Sequence, residues 1–242
     1  METKNIKRYT FNKFMEGMKK MKRKNKKEEV INLTRVDNFI DYNQKLEDDN
    51  KTFEKLMYVY ESAIKELKTK MEIMKDEFKI FYNYDLIDHI NTRIKTPESI
   101  KQKMQKRNLT LNYKEMIENI NDIAGIRIIC PLKKDIFAIR NLITKFPEIH
   151  IITEKDYVTH PKESGYSSYH IIVEIPVVLS QNIVYVKAEI QIRTIAMDFW
   201  ASLEHKMKYK PEEEIDKKSS KEWVNCAKVI QKLDNKMMLL NN

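Results

Sequence analysis

Residues 183–194 most constrain the fold of this chain, because their side chains alternate between apolar and polar types. A period of two predicts a β-strand that buries one face against a core. The apolar face carries Val184, Val186, Ala188, Ile190 and Ile192. The opposite face ends in Glu189, Gln191 and Arg193. A carboxylate, an amide and a guanidinium in one row suggest a functional site, and a merely solvated polar face is the competing interpretation.

The region around this strand predicts a sheet accompanied by helices. The predicted strands are 126–130, 149–153 and 169–175, and the predicted helices are 135–146 and 194–208, the latter with Ile195, Phe199, Leu203 and Met207 at four-residue spacing. Pro176 is expected to end the 169–175 strand, since proline cannot donate a sheet hydrogen bond. Asp88 and His89 are interpreted as part of an apolar-rich helix. Mixed strands and helices favour the α/β or α+β class.

Two amphipathic helices are predicted on either side of this central region. Apolar residues recur at spacings of four and three from Phe53 to Phe78, and a heptad-like stripe runs from Trp223 to Leu240. Such stripes pack on each other within one chain or on another subunit. Residues 1–50 predict a basic, helical extension in front of a domain that spans residues 51–242.

The net charge of +9 is concentrated near the N-terminus. Residues 1–30 hold eleven Lys and Arg against four Glu, a net charge of +7, so the rest of the chain is nearly balanced. Such an extension can bind RNA or an acidic partner. It can equally be a solvated segment without a specific partner.

Composition excludes several classes of protein. The chain has three glycines, too few for the glycine-rich loops of P-loop or dinucleotide-binding proteins. Cationic side chains must therefore hold the phosphates of any bound nucleotide. No segment approaches the roughly 20 apolar residues of a membrane span, and the N-terminus lacks the apolar core of a signal peptide. Cys130 and Cys226 lie far apart in sequence, which favours the reducing cytoplasm as the compartment.

A cationic cluster surrounds the predicted start of a helix at Thr96-Pro97. Thr96 is a suitable N-cap, and proline is favoured at the first helical position. Ser99 and Lys103 then lie one turn apart on the same face, and Arg93 and Lys95 precede the helix. A helix N-terminus with three cations and a hydroxyl predicts a polyphosphate site. An ordinary basic, capped helix is the alternative.

Asp122 and Arg127 flank the start of the predicted 126–130 strand. A carboxylate at a sheet edge is well placed to hold Mg²⁺, and the guanidinium can reach a phosphate or stack on a base. A turn-forming aspartate and an ion-paired arginine are the alternative.

A third cluster is the loop at residues 160–170, which is rich in small side chains. It presents Tyr166, interpreted as exposed, between Lys162 and His170. Aromatic rings in such loops stack on nucleobases, worth about 1–3 kcal/mol per base. The ring can instead simply pack over the loop.

Together these segments resemble the synthetase domain of the RelA/SpoT family, and most closely the small alarmone synthetases, which lack the hydrolase domain. The matching stretches are 93–103, 122–127, 162–170 and 189–194, continued by Phe199-Trp200 and 204–206, in the order of the family. The resemblance covers about residues 52–240. It implies an α+β fold: a mixed β-sheet flanked by helices in a nucleotidyltransferase-like domain, with long N- and C-terminal helices.

The resemblance also implies a reaction. The β,γ-pyrophosphate of ATP is transferred to the 3′-hydroxyl of GDP or GTP, with GMP as a further acceptor, giving AMP and the (p)ppGpp of the stringent response. It implies that ATP is bound by Arg93, Lys95, Ser99, Lys103 and Arg127. The two arginines are expected to flank the adenine.

The acceptor side and the catalytic pair follow from the same resemblance. It implies that the acceptor nucleotide is bound by Lys162, Tyr166, His170 and Gln191, with Tyr166 stacked on guanine. Asp122 and Glu189 are expected to be catalytic and to hold Mg²⁺, with Glu189 as metal ligand or as base. Ser164 and Ser167 depart from the residues usual in the family, which leaves the preference among GMP, GDP and GTP open.

Other interpretations of the same residues stay open. The same fold can transfer pyrophosphate to an adenine nucleotide or to the 3′ end of a tRNA, and it can serve as a non-catalytic RNA-binding module. No histidine stands in a His-Asp pair, so a synthetase without hydrolase activity is expected. The family further implies a homo-oligomer, with a tetramer as one form, while the lack of a long apolar segment predicts no membrane association.

Overall fold

A five-stranded mixed sheet is built around the alternating segment. The strands are β1 (His89–Ile94), β2 (Ala124–Cys130), β3 (His150–Asp156), β4 (Tyr169–Val178) and β5 (Ile183–Thr194). Their order in the sheet is β1-β2-β5-β4-β3, so β5 is central. It runs parallel to β2 and antiparallel to β4, and the outer pairs are antiparallel. The predicted mixed sheet is therefore confirmed.

Six helices accompany the sheet in the part of the chain that the structure describes. They are α1 (Asp49–Tyr82), α2 (Pro97–Lys106), α3 (Tyr113–Asn119), α4 (Lys133–Ile143), α5 (Ile195–Lys208) and α6 (Lys217–Leu240). Helix α1 packs across β1, β2, β4 and β5, and α6 packs against α4 and α5. No helix among the described residues combines the length and the apolar character needed to span a membrane.

The computed structural model describes residues 36, 39–40, 49–180, 183–208 and 217–240. All of them belong to a unit that spans residues 33–242. The predicted basic extension, residues 1–50, lies mostly outside the described residues. Its described residues are Val36, Phe39 and Ile40, all buried in the main core, and residues 49–50 at the start of α1.

The periodic segments form the elements that their patterns predict. Helix α1 buries the predicted stripe, with Tyr60, Leu67 and Met71 at 1% exposure or less. In β5 the alternating apolar residues from Val184 to Ile192 are all fully buried. Hydrophobic burial thus sets which face of α1 and of β5 meets the core.

Two local predictions are wrong. His89 begins strand β1 rather than lying in a helix, because its backbone pairs with β2 opposite Ile129. This edge strand is polar and half exposed, so its sequence lacks a strand pattern. Strand β4 continues through Pro176 to Val178. The pairing of β3 with β4 ends at Glu174, so the missing N–H of Pro176 breaks no hydrogen bond to β3.

Helix α5 forms as predicted, but its four-residue stripe does not face the core. Ile195, Phe199 and Met207 are about half exposed, whereas Trp200 and Ala201 on another side are buried. The buried side meets α6, where Ala227 packs with the two tryptophans Trp200 and Trp223. A regular apolar spacing therefore identified the helix without identifying its buried face.

Gly165 lies where the 160–170 loop contacts α6. Its φ of +88° is one that residues with a side chain rarely adopt, and an added Cβ would collide with the Cβ of Ala227. Both features require glycine at this position.

We expect Gly165→Ala to lower the free energy of unfolding by about 2 kcal/mol or more, through backbone strain and overpacking. Gly125→Ala is the matched control. There the nearest atom to an added Cβ is 3.5 Å away, an ordinary contact. Its effect should stay within about 1 kcal/mol. Urea denaturation of both variants measures the difference, and equal effects would contradict a special role for Gly165.

Candidate active site

Strands β1, β2 and β5 line one cavity of about 310 Å³. Its residues are Asn91, Thr92, Arg93, Gly125, Ile126, Arg127, Glu189 and Gln191. The register explains the grouping, because Gly125 lies opposite both Arg93 and Glu189. Arg127 in turn lies opposite Gln191. Two predicted ATP-binding arginines thus share a cavity with the predicted catalytic glutamate.

A second cavity, of about 230 Å³, is also lined by Glu189. It includes the predicted residues Lys103, Asp122, Lys162, His170 and Glu189. It is also lined by Arg107, Lys155 and Tyr157, which the sequence did not single out. Glu189 lines both cavities, so its carboxylate borders predicted donor and acceptor residues, whereas Tyr166 lines neither cavity.

Three cations converge on Asp122. Lys103 Nζ lies 2.8 Å from Oδ1, and Lys95 Nζ lies 3.1 Å from Oδ2. An Arg93 guanidinium nitrogen lies 3.7 Å from Oδ2. Helix α2 begins as predicted, with the Thr96 hydroxyl accepting a hydrogen bond from the Ser99 amide. The structure therefore brings three of the four predicted ATP-binding cations together around Asp122, whereas the fourth, Arg127, pairs with Asp198.

Glu189 is held by two hydrogen-bond donors. His170 Nδ1 lies 3.0 Å from Oε1, and Gln191 Nε2 donates to Oε2 over 2.8 Å. The antiparallel register of β4 and β5 places His170 directly opposite Gln191. Three predicted residues thus form one hydrogen-bonded group.

Both carboxylates are ionised at neutral pH. Burial raises the pKa of Asp122, but Lys103 and Lys95 outweigh burial and hold it below its ordinary value. Burial likewise raises the pKa of Glu189, and the interactions with His170 and Gln191 outweigh it.

The two carboxylates fit the expected Mg²⁺. No cluster of three or more His, Cys, Asp or Glu side chains suited to a metal occurs among the described residues. Mg²⁺ is commonly held by one or two carboxylates together with substrate phosphates, so a pair is sufficient. Oδ1 of Asp122 is buried and lies 2.8 Å from the Lys103 ammonium. This oxygen is ionised and already faces a cation, so Mg²⁺ would share or replace Lys103 as its partner.

Tyr166 is only partly exposed, in contrast to its interpretation as an exposed ring. Two cations lie near the ring, Lys162 Nζ at 5.0 Å and the Arg193 guanidinium at 5.1 Å from its centroid. Tyr157 meets it edge to face at 6.2 Å. Loop 160–170 therefore packs its tyrosine into a cage of neighbours, and Lys162 is the exposed cation of the two.

Three further residues belong to this region without a predicted role in the site. Arg193 was assigned to a polar strand face, yet it is 4% exposed and contacts Tyr166. Asp198 pairs with both Arg127 and Arg193. Tyr157 follows β3 and borders the second cavity. Their roles depend on contacts across the sheet, which the sequence does not reveal. The one signal in the sequence is the position of Arg193 at the end of the polar row that begins with Glu189.

The two serines that depart from the family pattern take different positions. The Ser164 hydroxyl accepts a hydrogen bond from the Tyr166 amide. Ser167 is buried, with its hydroxyl directed at the sulfur of Met197. Ser167 thus packs behind the loop, toward α5.

The depressed pKa of Asp122 predicts acid sensitivity. Its carboxylate contributes stability that is present above the ordinary Asp pKa of about 4 and is lost as the pH falls through the lower, folded-state pKa. Asp122→Asn should lower the free energy of unfolding by about 1–3 kcal/mol at pH 7, and the difference should shrink toward pH 2. Urea denaturation across this range measures it.

Asp85→Asn is the control, since Asp85 forms an exposed ion pair with Lys79. Such pairs are worth about 0–1 kcal/mol. An Asp122 variant with the same small effect as the control would contradict the convergence of the three cations.

Known proteins match this chain over most of its length. A family model described as a region found in RelA/SpoT proteins matches residues 92–214. GTP pyrophosphokinase YwaC of Bacillus subtilis (strain 168) is 43% identical over 182 residues, which cover 75% of this chain and 87% of YwaC.

Solved structures agree with the sequence match. Small alarmone synthetase 1 of Bacillus subtilis, bound to its product pppGpp, gives a TM-score of 0.73 at 31% identity, covering 79% of this chain and 97% of that one. The same synthetase bound to AMPCPP gives a TM-score of 0.68 at 29% identity, covering 79% and 96%. The predicted resemblance and α+β fold are confirmed: this chain belongs to the RelA/SpoT family.

Proposed function

We propose that this protein transfers the β,γ-pyrophosphate of ATP to the 3′-hydroxyl of GDP or GTP, with GMP as a further acceptor, giving AMP and (p)ppGpp. The predicted activity, a GTP pyrophosphokinase, is that of YwaC. One observation carries the proposal. Glu189 borders two cavities, the first shared with the predicted adenine-binding arginines and Gln191, and the second shared with Lys103, Asp122 and the predicted acceptor residues Lys162 and His170.

On the donor side, the chain supplies charge and position. Arg93 and Arg127 would flank the adenine in the 310 Å³ cavity. Lys95, Lys103 and the N-terminus of α2, with Ser99, would hold the polyphosphate. Pyrophosphoryl transfer depends mainly on alignment and charge neutralisation, and these cations stabilise the charge that develops on departing AMP.

On the acceptor side, Tyr166 would stack on guanine. Lys162 is the exposed cation beside the ring, so guanine would replace it there. The displaced ammonium group would then be free to pair with acceptor phosphates. His170 and Gln191 would contact the ribose and orient its 3′-hydroxyl beside Glu189.

Asp122 and Glu189 would hold the metal. When bound, Mg²⁺ neutralises polyphosphate charge and lowers the cost of removing the 3′-hydroxyl proton. The depressed pKa of Glu189 keeps its carboxylate ionised and makes it a weak base. We therefore assign Glu189 chiefly to metal binding and to orienting the hydroxyl.

Predictions about partners and compartment remain predictions. The half-exposed apolar residues of α5, Ile195, Phe199 and Met207, are compatible with a homo-oligomer. RNA binding by the basic extension concerns residues outside the described part of the chain. The cytoplasm remains the expected compartment.

The function is tested by offering ATP together with labelled GMP, GDP, GTP, ATP or bulk tRNA, and resolving the products by chromatography. We expect label to appear in guanosine 3′-pyrophosphates, with AMP formed in equal amount, and EDTA should abolish both. Glu189→Gln should be inactive, whereas Glu174→Gln should be active, since Glu174 lines neither cavity. Labelled tRNA or adenosine product without guanosine product would overturn the proposal.

Tyr166→Ala should raise the KM for the guanine nucleotide about tenfold or more and leave the KM for ATP within about twofold, because stacking is made only with the acceptor. Steady-state kinetics with each substrate varied measures the split. Tyr58→Ala, at a 56% exposed position on α1, is the control and should change neither value. Equal rises in both KM values would make Tyr166 a structural residue.

A further inference from the structure

Arg193 carries a buried charge that the proposed reaction leaves without a task. Its side chain is 5% exposed and ion-pairs with Asp198 at 3.1 Å. One guanidinium nitrogen, Nη2, donates to the Tyr166 hydroxyl over 2.6 Å and to Oε1 of Gln191 over 2.9 Å. Nε donates to the Ser168 hydroxyl at 3.4 Å. Burying a charge is costly, so the use of four of its five N–H donors on four different partners indicates a purpose beyond packing.

The contacts of Arg193 belong to a closed ring of hydrogen bonds. One arm runs from Arg193 through the Tyr166 hydroxyl to Nε2 of His170, at 2.8 Å, and from Nδ1 of His170 to Glu189. The other arm runs from Arg193 through the Gln191 amide to Glu189. The other four members of the ring are residues predicted for the acceptor or catalytic site: Tyr166, His170, Glu189 and Gln191. Arg193 and Glu189 are the two points where the arms meet.

Donor and acceptor chemistry gives both arms a direction. A guanidinium can only donate, so Oε1 of Gln191 must face Arg193 and its Nε2 must face Glu189. A flipped amide would direct an NH₂ group at a cation and an oxygen at a carboxylate. The Tyr166 hydroxyl likewise accepts from Arg193, which leaves its own proton to be donated to Nε2 of His170. Arg193 thus determines the orientation of the Tyr166 hydroxyl and the Gln191 amide.

We propose that Arg193 is the positioning residue of the acceptor half of the site, acting through the Tyr166 phenol and the Gln191 amide. The inference rests on the proposed function, because it assigns the acceptor to these side chains. Arg193 touches neither substrate. It fixes the plane of the ring on which guanine stacks and the amide that orients the hydroxyl.

Arginine is required here for its geometry as well as its charge. The planar fork reaches Asp198 with Nη1 and the phenol and amide with Nη2. A lysine keeps the charge but offers a single point donor on a flexible chain, which cannot hold these groups in fixed directions. Arg193→Lys therefore separates orientation from charge.

The experiment compares wild type, Arg193→Lys, Tyr166→Phe and the double variant. GDP affinity is measured by calorimetry without ATP, and the KM values for acceptor and ATP by steady-state kinetics. Arg193→Lys should weaken GDP binding about tenfold and raise the acceptor KM similarly, with the ATP KM within about twofold. In the Tyr166→Phe background the same change should have a clearly smaller effect, because the phenol link is already absent.

Arg140→Lys is the matched control. Arg140 is partly buried and pairs with Glu154 at 2.9 Å, and it lines neither cavity. It should change neither KM. Equal effects of Arg193→Lys on both substrates, or additive effects with Tyr166→Phe, would overturn the positioning role.

Tyr166→Phe alone keeps the proposal testable if Arg193→Lys does not fold, since it retains the stacking ring and removes only the hydroxyl. It should weaken GDP binding several-fold, and an unchanged affinity would overturn the proposal. Failure of the proposed function is detected by a separate measurement, the chromatographic assay for guanosine 3′-pyrophosphates. A shift in GDP affinity without guanosine 3′-pyrophosphate would leave the positioning role and remove the reaction.

Discussion

The parallel pairing of β2 with β5 is the interaction on which the site depends. It places Gly125 opposite Glu189 and Arg127 opposite Gln191, and the pairing of β1 adds Arg93 beside Gly125. Residues separated by some 60 positions or more in sequence thereby line one cavity. The buried apolar face of β5 holds this register, because a slip of one residue would exchange its buried and polar faces.

Charge is organised differently in the two halves of the site. Around Asp122 three cations converge on one carboxylate, which leaves a local excess of positive charge suited to a polyphosphate. Around Glu189 the partners are an imidazole and an amide, which orient the carboxylate rather than simply neutralise it. Asp198 lies between the two groups, since it pairs with Arg127, which is proposed to bind the donor, and with Arg193, which is proposed to position the acceptor site.

Periodicity identified the elements well where one face is buried, and poorly where neither face dominates. Helix α1 and strand β5 each carry a continuous apolar face, so local spacing reported their environment. Strand β1 is a polar edge strand, held by backbone pairing that leaves no sequence pattern. In α5 the spacing marked a stripe that is half exposed, because the buried side is chosen by contact with α6.

The sequence by itself determined the central amphipathic strand, the capped helix at Thr96 and the set of charged and aromatic residues that resembles the RelA/SpoT family. These depend on local periodicity and residue chemistry, which need no knowledge of distant neighbours. Only the tertiary structure decided that Arg193 is buried at the centre of a hydrogen-bonded ring and that Tyr166 is partly enclosed. Both outcomes follow from packing between strand β5, the 160–170 loop and helices α5 and α6, and burial of that kind is a property of contacts rather than of sequence spacing.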